Sequence, residues 1–130
     1  MQIDRLDHLV LTVHDIQATC DFYRRVLGME VITFGKGRTA LRFGNQKINL
    51  HAIQNSHQLV ADQPTPGSAD LCFITRTPLS EVVNHLHACN VPTVGGPIQR
   101  TGARHPIHSV YFRDPDGNLI EVSNELDEEG

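Results

Sequence analysis

Four titratable side chains stand inside otherwise apolar stretches of this 130-residue sequence: His8 in LDHLVLTV, His51 in KINLHAI, Asp70 in ADLCFIT and Glu121 in NLIEVS. Burying any one of them alone costs several kcal/mol or forces the group neutral. Four that converge on a divalent cation would satisfy one another. Two imidazoles and two carboxylates form a mixed nitrogen and oxygen donor set. It suits zinc, iron, nickel, cobalt or manganese better than calcium, and the lack of thiolates argues against a closed structural zinc site. One coordination position would stay open for water or substrate.

Each residue also has a plainer use. His8 can be a core histidine bonded to backbone, and Asp70 can tie the turn that follows Gly67. Glu121, with Leu119 and Ser123 on its own face, can be the exposed acid of an edge strand. Asn49, two residues before His51, competes with it as the inward polar group. The shared reading rests on a repeat. At an offset of 62, His8 aligns with Asp70, the helix-capping Asp15 with Thr77, and Gly28 with Asn90. The last strands align when the offset grows to 70, with eight extra residues in Gly95–His105, and Glu121 then falls opposite His51. Such an offset implies an internal duplication.

The remaining histidines read more simply. His14, His57, His85 and His87 are expected at the solvated surface. His105 and His108 lie with Arg100 and Arg104 in Gly95–His108, a stretch long enough for an active-site loop whose basic residues hold an anionic group, although a solvated loop explains any one of them. No GxGxxG, GxxxxGK[ST] or GxSxG string occurs, so a nucleophile-triad enzyme is not expected. The acidic end Glu125–Gly130 reads as a frayed, solvated tail.

The elements that must position these residues follow from pattern and punctuation. Leu6–Val13 is apolar on both faces and reads as a strand covered on both sides. Asp15 caps a helix with apolar or aromatic positions at Ile16, Cys20, Tyr23, Val26 and Leu27, and Gly28 stops it. Strands follow at Met29–Phe34, Thr39–Phe43 and Lys47–Ile53, so the first half is βαβββ. After QPTPG (63–67), Ala69–Thr75 is again a strand, and a second helix starts with Pro78 at its first position and ends near Asn90. Strands at Pro92–Val94, Ile107–Arg113 and Asn118–Ser123 complete the second half. The reading is an α+β chain of two βαβββ modules, about 1–62 and about 68–125, within one domain.

Composition removes whole classes of function. Fifteen acidic against 11 basic residues leave a formal charge of −4 with the eight histidines neutral, which gives no footprint for nucleic acid or anionic membranes. Three cysteines without a CxxC pair suit a reducing, cytoplasmic setting. No apolar run approaches the length of a membrane span.

DHLVLTVHDIQATCDFYRRVLGMEV near the start and FRDPDGNLIEVSN near the end resemble the vicinal oxygen chelate superfamily, and within it the small glyoxalase-domain proteins. The resemblance spans nearly the whole chain. It implies a cup-shaped mixed sheet around one divalent metal bound by the first and last strands of each module, with His8 and Glu121 on matching ligand positions. Glyoxalase I usually has glutamate where this chain has His51 or Asn49, and histidine or glutamate where it has Asp70. Fosfomycin-resistance transferases have histidine at the Asp70 position. The resemblance therefore implies a glyoxalase/lyase-like enzyme acting on vicinal oxygens of a small substrate, such as a glutathione adduct, with Glu121 and Asp70 in catalytic roles. It leaves as alternatives a non-catalytic, drug-sequestering protein and a thiol transferase. Small members commonly pair, so a homodimer is expected.

Overall fold

A computed structural model describes residues 1–127 of the chain; the last three positions of the acidic tail lie outside the described residues. The chain divides into two compact units, Met1–Gly67 and the part from Ser68 onward. Each is a βαβββ module with its own four-stranded mixed sheet.

In the first unit β1 (His8–Val13) leads into α1 (Ile16–Leu27), followed by β2 (Glu30–Phe34), β3 (Arg38–Phe43) and β4 (Gln46–Ala52). Helix α1 forms where its signals stand. The Asp15 carboxylate accepts from the Ala18 N–H at 3.1 Å, satisfying one of the amides that a helix start leaves orphaned. Gly28 ends it with φ 68°, where its N–H donates to the Arg24 carbonyl. The sheet order is β1-β4-β3-β2, with β1 parallel to β4 and the other pairs antiparallel. Leu11, Val13, Tyr23, Val26, Leu41 and Ile48 are buried in its core.

The second unit repeats the plan with β5 (Asp70–Ile74), α2 (Leu79–Ala88), β6 (Thr93–Thr101), β7 (Pro106–Arg113) and β8 (Leu119–Glu125). Its order is β5-β8-β7-β6, with β5 parallel to β8. Two asparagines fasten β5 to β8. Asn118 accepts from the Ala69 N–H at 2.8 Å and donates to Asp114 at 2.8 Å, while the other Asp114 oxygen receives the Asp116 and Asn118 amides. The DPDGN string is thus a self-bonded turn that sets where β8 begins. Asn124 donates to the Thr75 and Thr77 carbonyls and accepts from the Leu79 N–H. That amide is the first of α2, so the helix is capped from another strand.

Three expectations change. Pro78 is the N-cap of α2 rather than its first helical residue, and it supplies no side-chain cap. The strands β1 and β5 are each open on one face; on the other, Leu11 and Val13 of β1 are buried and Leu71 and Phe73 of β5 are half-buried. His8 and Val10 are exposed, as are Asp70, Cys72 and Ile74, because each helix covers a single face of its sheet. Most of the Gly95–His105 stretch is strand rather than loop: β6 runs to Thr101, and a short turn at 102–105 leads into β7. Glycine and proline disguise it, yet β6 is the edge strand, where Pro97 withholds no bond the sheet needs. Gly96 is required there. It sits at φ 82°, and a Cβ on it would come within 2.3 Å of the Ser109 carbonyl oxygen. Among the described residues no helix is long and apolar enough to cross a membrane.

Candidate functional site

Strand register shows which polar residues share a face. In the first unit Val10 pairs with Asn49 and Thr12 with His51, so the open face carries His8, Val10 and Thr12 on β1 beside Lys47, Asn49 and His51 on β4. His8 and His51 stand four residues apart along neighbouring strands, about 13 Å at the usual rise, and the structure does not bring them together. The ring of His8 bonds the Asp7 carboxylate at 2.8 Å. His51 instead stacks on His57, with centroids 3.8 Å apart and planes 11° from parallel. Its pKa is lowered by burial, with His57 and Arg38 acting in the same direction. His57, expected as a bare surface residue, is exposed but packs on this neighbour. Asn49 lies one alternation closer to His8. It is buried, and its Oδ1 has no hydrogen-bond partner.

In the second unit the corresponding pairs are Asp70 with Leu119 and Cys72 with Glu121. Val10 and Cys72 are related by the offset of 62, so Glu121 is the counterpart of Asn49, not of His51. The last strands therefore align at an offset of 72 rather than 70. Six of the ten residues by which the offset grows lie in β6 and β7, which have nine and eight residues where β2 and β3 have five and six; longer connections add the rest, among them 114–118 between β7 and β8 against 44–45 between β3 and β4. Asp70 is exposed at the head of β5, two positions from Glu121 on the same face.

Glu121 is held by neighbours that a sequence reading passes over. The Ser109 hydroxyl donates to its Oε2 at 2.6 Å, Ser123 approaches the same oxygen at 3.4 Å, and the two serines bond each other at 2.6 Å. Both serines are fully buried, which ties the rotamer of the carboxylate to the sheet. The Cys72 thiol lies 3.4 Å from the Ser123 hydroxyl, and although the residue as a whole is exposed, partial desolvation of the sulfur raises its pKa. A thiol held in its protonated form is a poor nucleophile.

A cleft of about 690 Å³ opens over this face, lined among others by Ile74, Arg100, Arg104, Ile107, Tyr111 and Glu121. Arg104 lies in the turn and forms a paired contact with Glu125, Nε to one oxygen and Nη2 to the other, both at 2.8 Å. The contact lowers the Glu125 pKa and raises that of Arg104. Arg100, on β6, donates from Nε to the Tyr111 hydroxyl at 3.2 Å. His108 alternates onto the opposite face of β7 from Tyr111 and Ser109, so it does not share the cleft. His105 sits in the turn with its Nδ1 buried and unpartnered. Among the described residues no three His, Cys, Asp or Glu side chains are gathered to hold a metal ion.

The profile of the Glyoxalase/Bleomycin resistance protein/Dioxygenase superfamily matches residues 5–122. The chain belongs to that superfamily. Virulence protein STM3117 of Salmonella typhimurium is 56% identical over 123 residues, covering 95% of this chain and 85% of that protein; its crystal structure superposes with a TM-score of 0.95, covering 97% and 100% of the two chains. The glyoxalase domain-containing protein RDO1 of Mycosarcoma maydis is 50% identical over 98% of this chain and 72% of its own length. A more distant superfamily member, a lactoylglutathione lyase from Agrobacterium tumefaciens, is 26% identical with a TM-score of 0.72, covering 95% and 96% of the chains. The two solved structures share the α+β fold of this chain, in which the two sheets described above are the modules.

Proposed function

We propose that the chain is a metal-dependent enzyme of the glyoxalase/lyase type, which holds a divalent cation and uses it to chelate two adjacent oxygens of a small substrate. One observation carries the reading. The buried, unpartnered Oδ1 of Asn49 occupies, in the first unit, the register position that Glu121 occupies in the second. A buried acceptor left unpaired costs about 1–3 kcal/mol, and a cation offsets that cost. His8 and Asn49 are the donors proposed in the first unit, with His51 as the alternative on β4, and Glu121 is the donor proposed in the second. Asp70 is a fourth ligand or the general base. Imidazole, amide and carboxylate donors suit zinc, nickel, iron, cobalt or manganese.

When bound, such a cation supplies Lewis acidity that favours an oxyanion or enediolate. The chain's own residues supply position and proton transfer. Ser109 and Ser123 fix Glu121, and exposed Asp70 is free to take a proton from a substrate carbon next to a carbonyl. A glutathione adduct is one small substrate of this kind, and the likeness to a lactoylglutathione lyase supports it. The proposal extends to a homodimer, supported by exposed Val10, Ile74 and Ile98, and to a cytoplasmic setting, supported by three cysteines that form no disulfide among the described residues.

Cobalt tests the reading. Chelator-treated protein titrated with cobalt(II) is expected to develop visible bands that shift on adding acetohydroxamate, a vicinal-oxygen chelator. Both His8→Ala and Glu121→Gln should lose them. Cobalt retained by both variants overturns the ligand assignment, and bands indifferent to hydroxamate overturn the chelation. A second reading, a metal-free small-molecule binder, draws on the apolar walls that Ile74 and Ile107 give the cleft. Undiminished binding of a planar ligand by metal-free protein would favour it.

A further inference from the structure

The cleft of the second unit contains two arginines in different electrostatic states. Arg104 has both of its forked contacts filled by Glu125, so it closes a wall of the cleft as a neutralised pair. Arg100 has no carboxylate partner among the described residues. Its Nε is spent on a neutral phenol, that of Tyr111, and its guanidinium carbon lies 5.9 Å from the centre of the same ring. The two terminal nitrogens are left for another acceptor.

Register shows how far this arginine is stretched. Arg100 pairs with Ile107, four residues from Tyr111 on the same face of β7, a separation of about 13 Å along the strand. The two side chains meet by reaching toward one another across the face of the sheet. The guanidinium is thereby held at the cleft, where it remains exposed to water.

We propose that this cleft binds the carboxylate of a small, otherwise apolar organic acid, with Arg100 recognising the carboxylate and Tyr111 holding Arg100 in place. A planar guanidinium fork matches a carboxylate with two parallel hydrogen bonds. Ile74 and Ile107 offer apolar surface to the rest of the molecule. The Glu121 carboxylate on the same face disfavours a second negative charge, so the ligand is a monoanion. Together with the metal reading, this makes the substrate an acid; that extension rests on the earlier proposal, whereas the binding step needs no cation.

The test uses the full chain after chelator treatment, which separates it from the cobalt experiment. Benzoate and its uncharged analogue benzamide are titrated while binding is followed by amide chemical shifts. Benzoate is expected to saturate, with benzamide at least tenfold weaker. Arg100→Gln should erase the preference. Arg100→Lys, which keeps the charge and loses the fork, should weaken benzoate severalfold, and Tyr111→Phe should do so to a smaller extent. Absence of benzoate binding, equal affinity for the two probes, or a preference retained by a folded Arg100→Gln variant overturns the proposal.

Discussion

Asn49 and Glu121 stand at one register position of a duplicated module and differ in charge. The polar position on the last strand is common to both units, while each unit has its own chemistry there: a buried amide oxygen in one, a carboxylate steadied by Ser109 and Ser123 in the other. The His51–His57 stack beside this site is sensitive to acid. Burial holds the His51 imidazole below its ordinary value near 6.5, so the unfolded chain binds its proton at a pH where the folded chain does not. Stability contributed by the neutral ring is full above about 6.5 and falls as the pH drops through the lowered folded value. A thermal midpoint that declines between pH 7.5 and 5.5, and declines less in His51→Gln, is the expected result. Identical slopes in the two proteins would show that the stack does not titrate in this way.

Elements differ in how openly the sequence declares them. Helix α1 was legible at both ends because Asp15 and Gly28 act locally, through bonds to residues three or four away. Strand β6 was legible only at its start, within Pro92–Val94, and the rest was hidden, since GGP reads as loop unless the strand is known to be an edge, and edge status is set by pairing far along the chain. The same limit explains the site. His8, Asp70 and Glu121 announce themselves as polar residues in apolar strands. Ser109 and Ser123 resemble any small polar residue until register places both against Glu121, and the choice between Asn49 and His51 turned on a hairpin length that only the pairing reveals. At the helix ends, Asn90 with φ 58° fills the place in the second unit that Gly28 fills in the first. No heavy atom would meet a Cβ on Gly28 within 4 Å, so replacement there costs backbone strain alone. Gly28→Ala is expected to destabilise by about 1 kcal/mol and Gly28→Asn by less, as urea unfolding would measure.

At the scale of the molecule, the duplication accounts for the α+β plan, and the superfamily assignment rests on a match spanning residues 5–122. Each sheet leaves one face incompletely covered in the single chain, with Val10 45% and Ile74 51% exposed. Sedimentation equilibrium should therefore return twice the 14.5 kDa chain mass, and Ile74→Asp should shift it toward one. A single-chain mass for the unaltered protein at micromolar concentration would remove the homodimer. The parallel pairing of first and last strands has a further consequence, for synthesis. His8 finds its partner at Lys47, 39 residues later, and Asp70 finds Leu119, 49 residues later. On the ribosome, the apolar LVLTV segment of each newborn first unit must wait for its sheet while the β2, β3 and β4 hairpins, joined by short turns, can close as they emerge. It is the stretch of this chain that a nascent-chain chaperone would find uncovered longest in its unit.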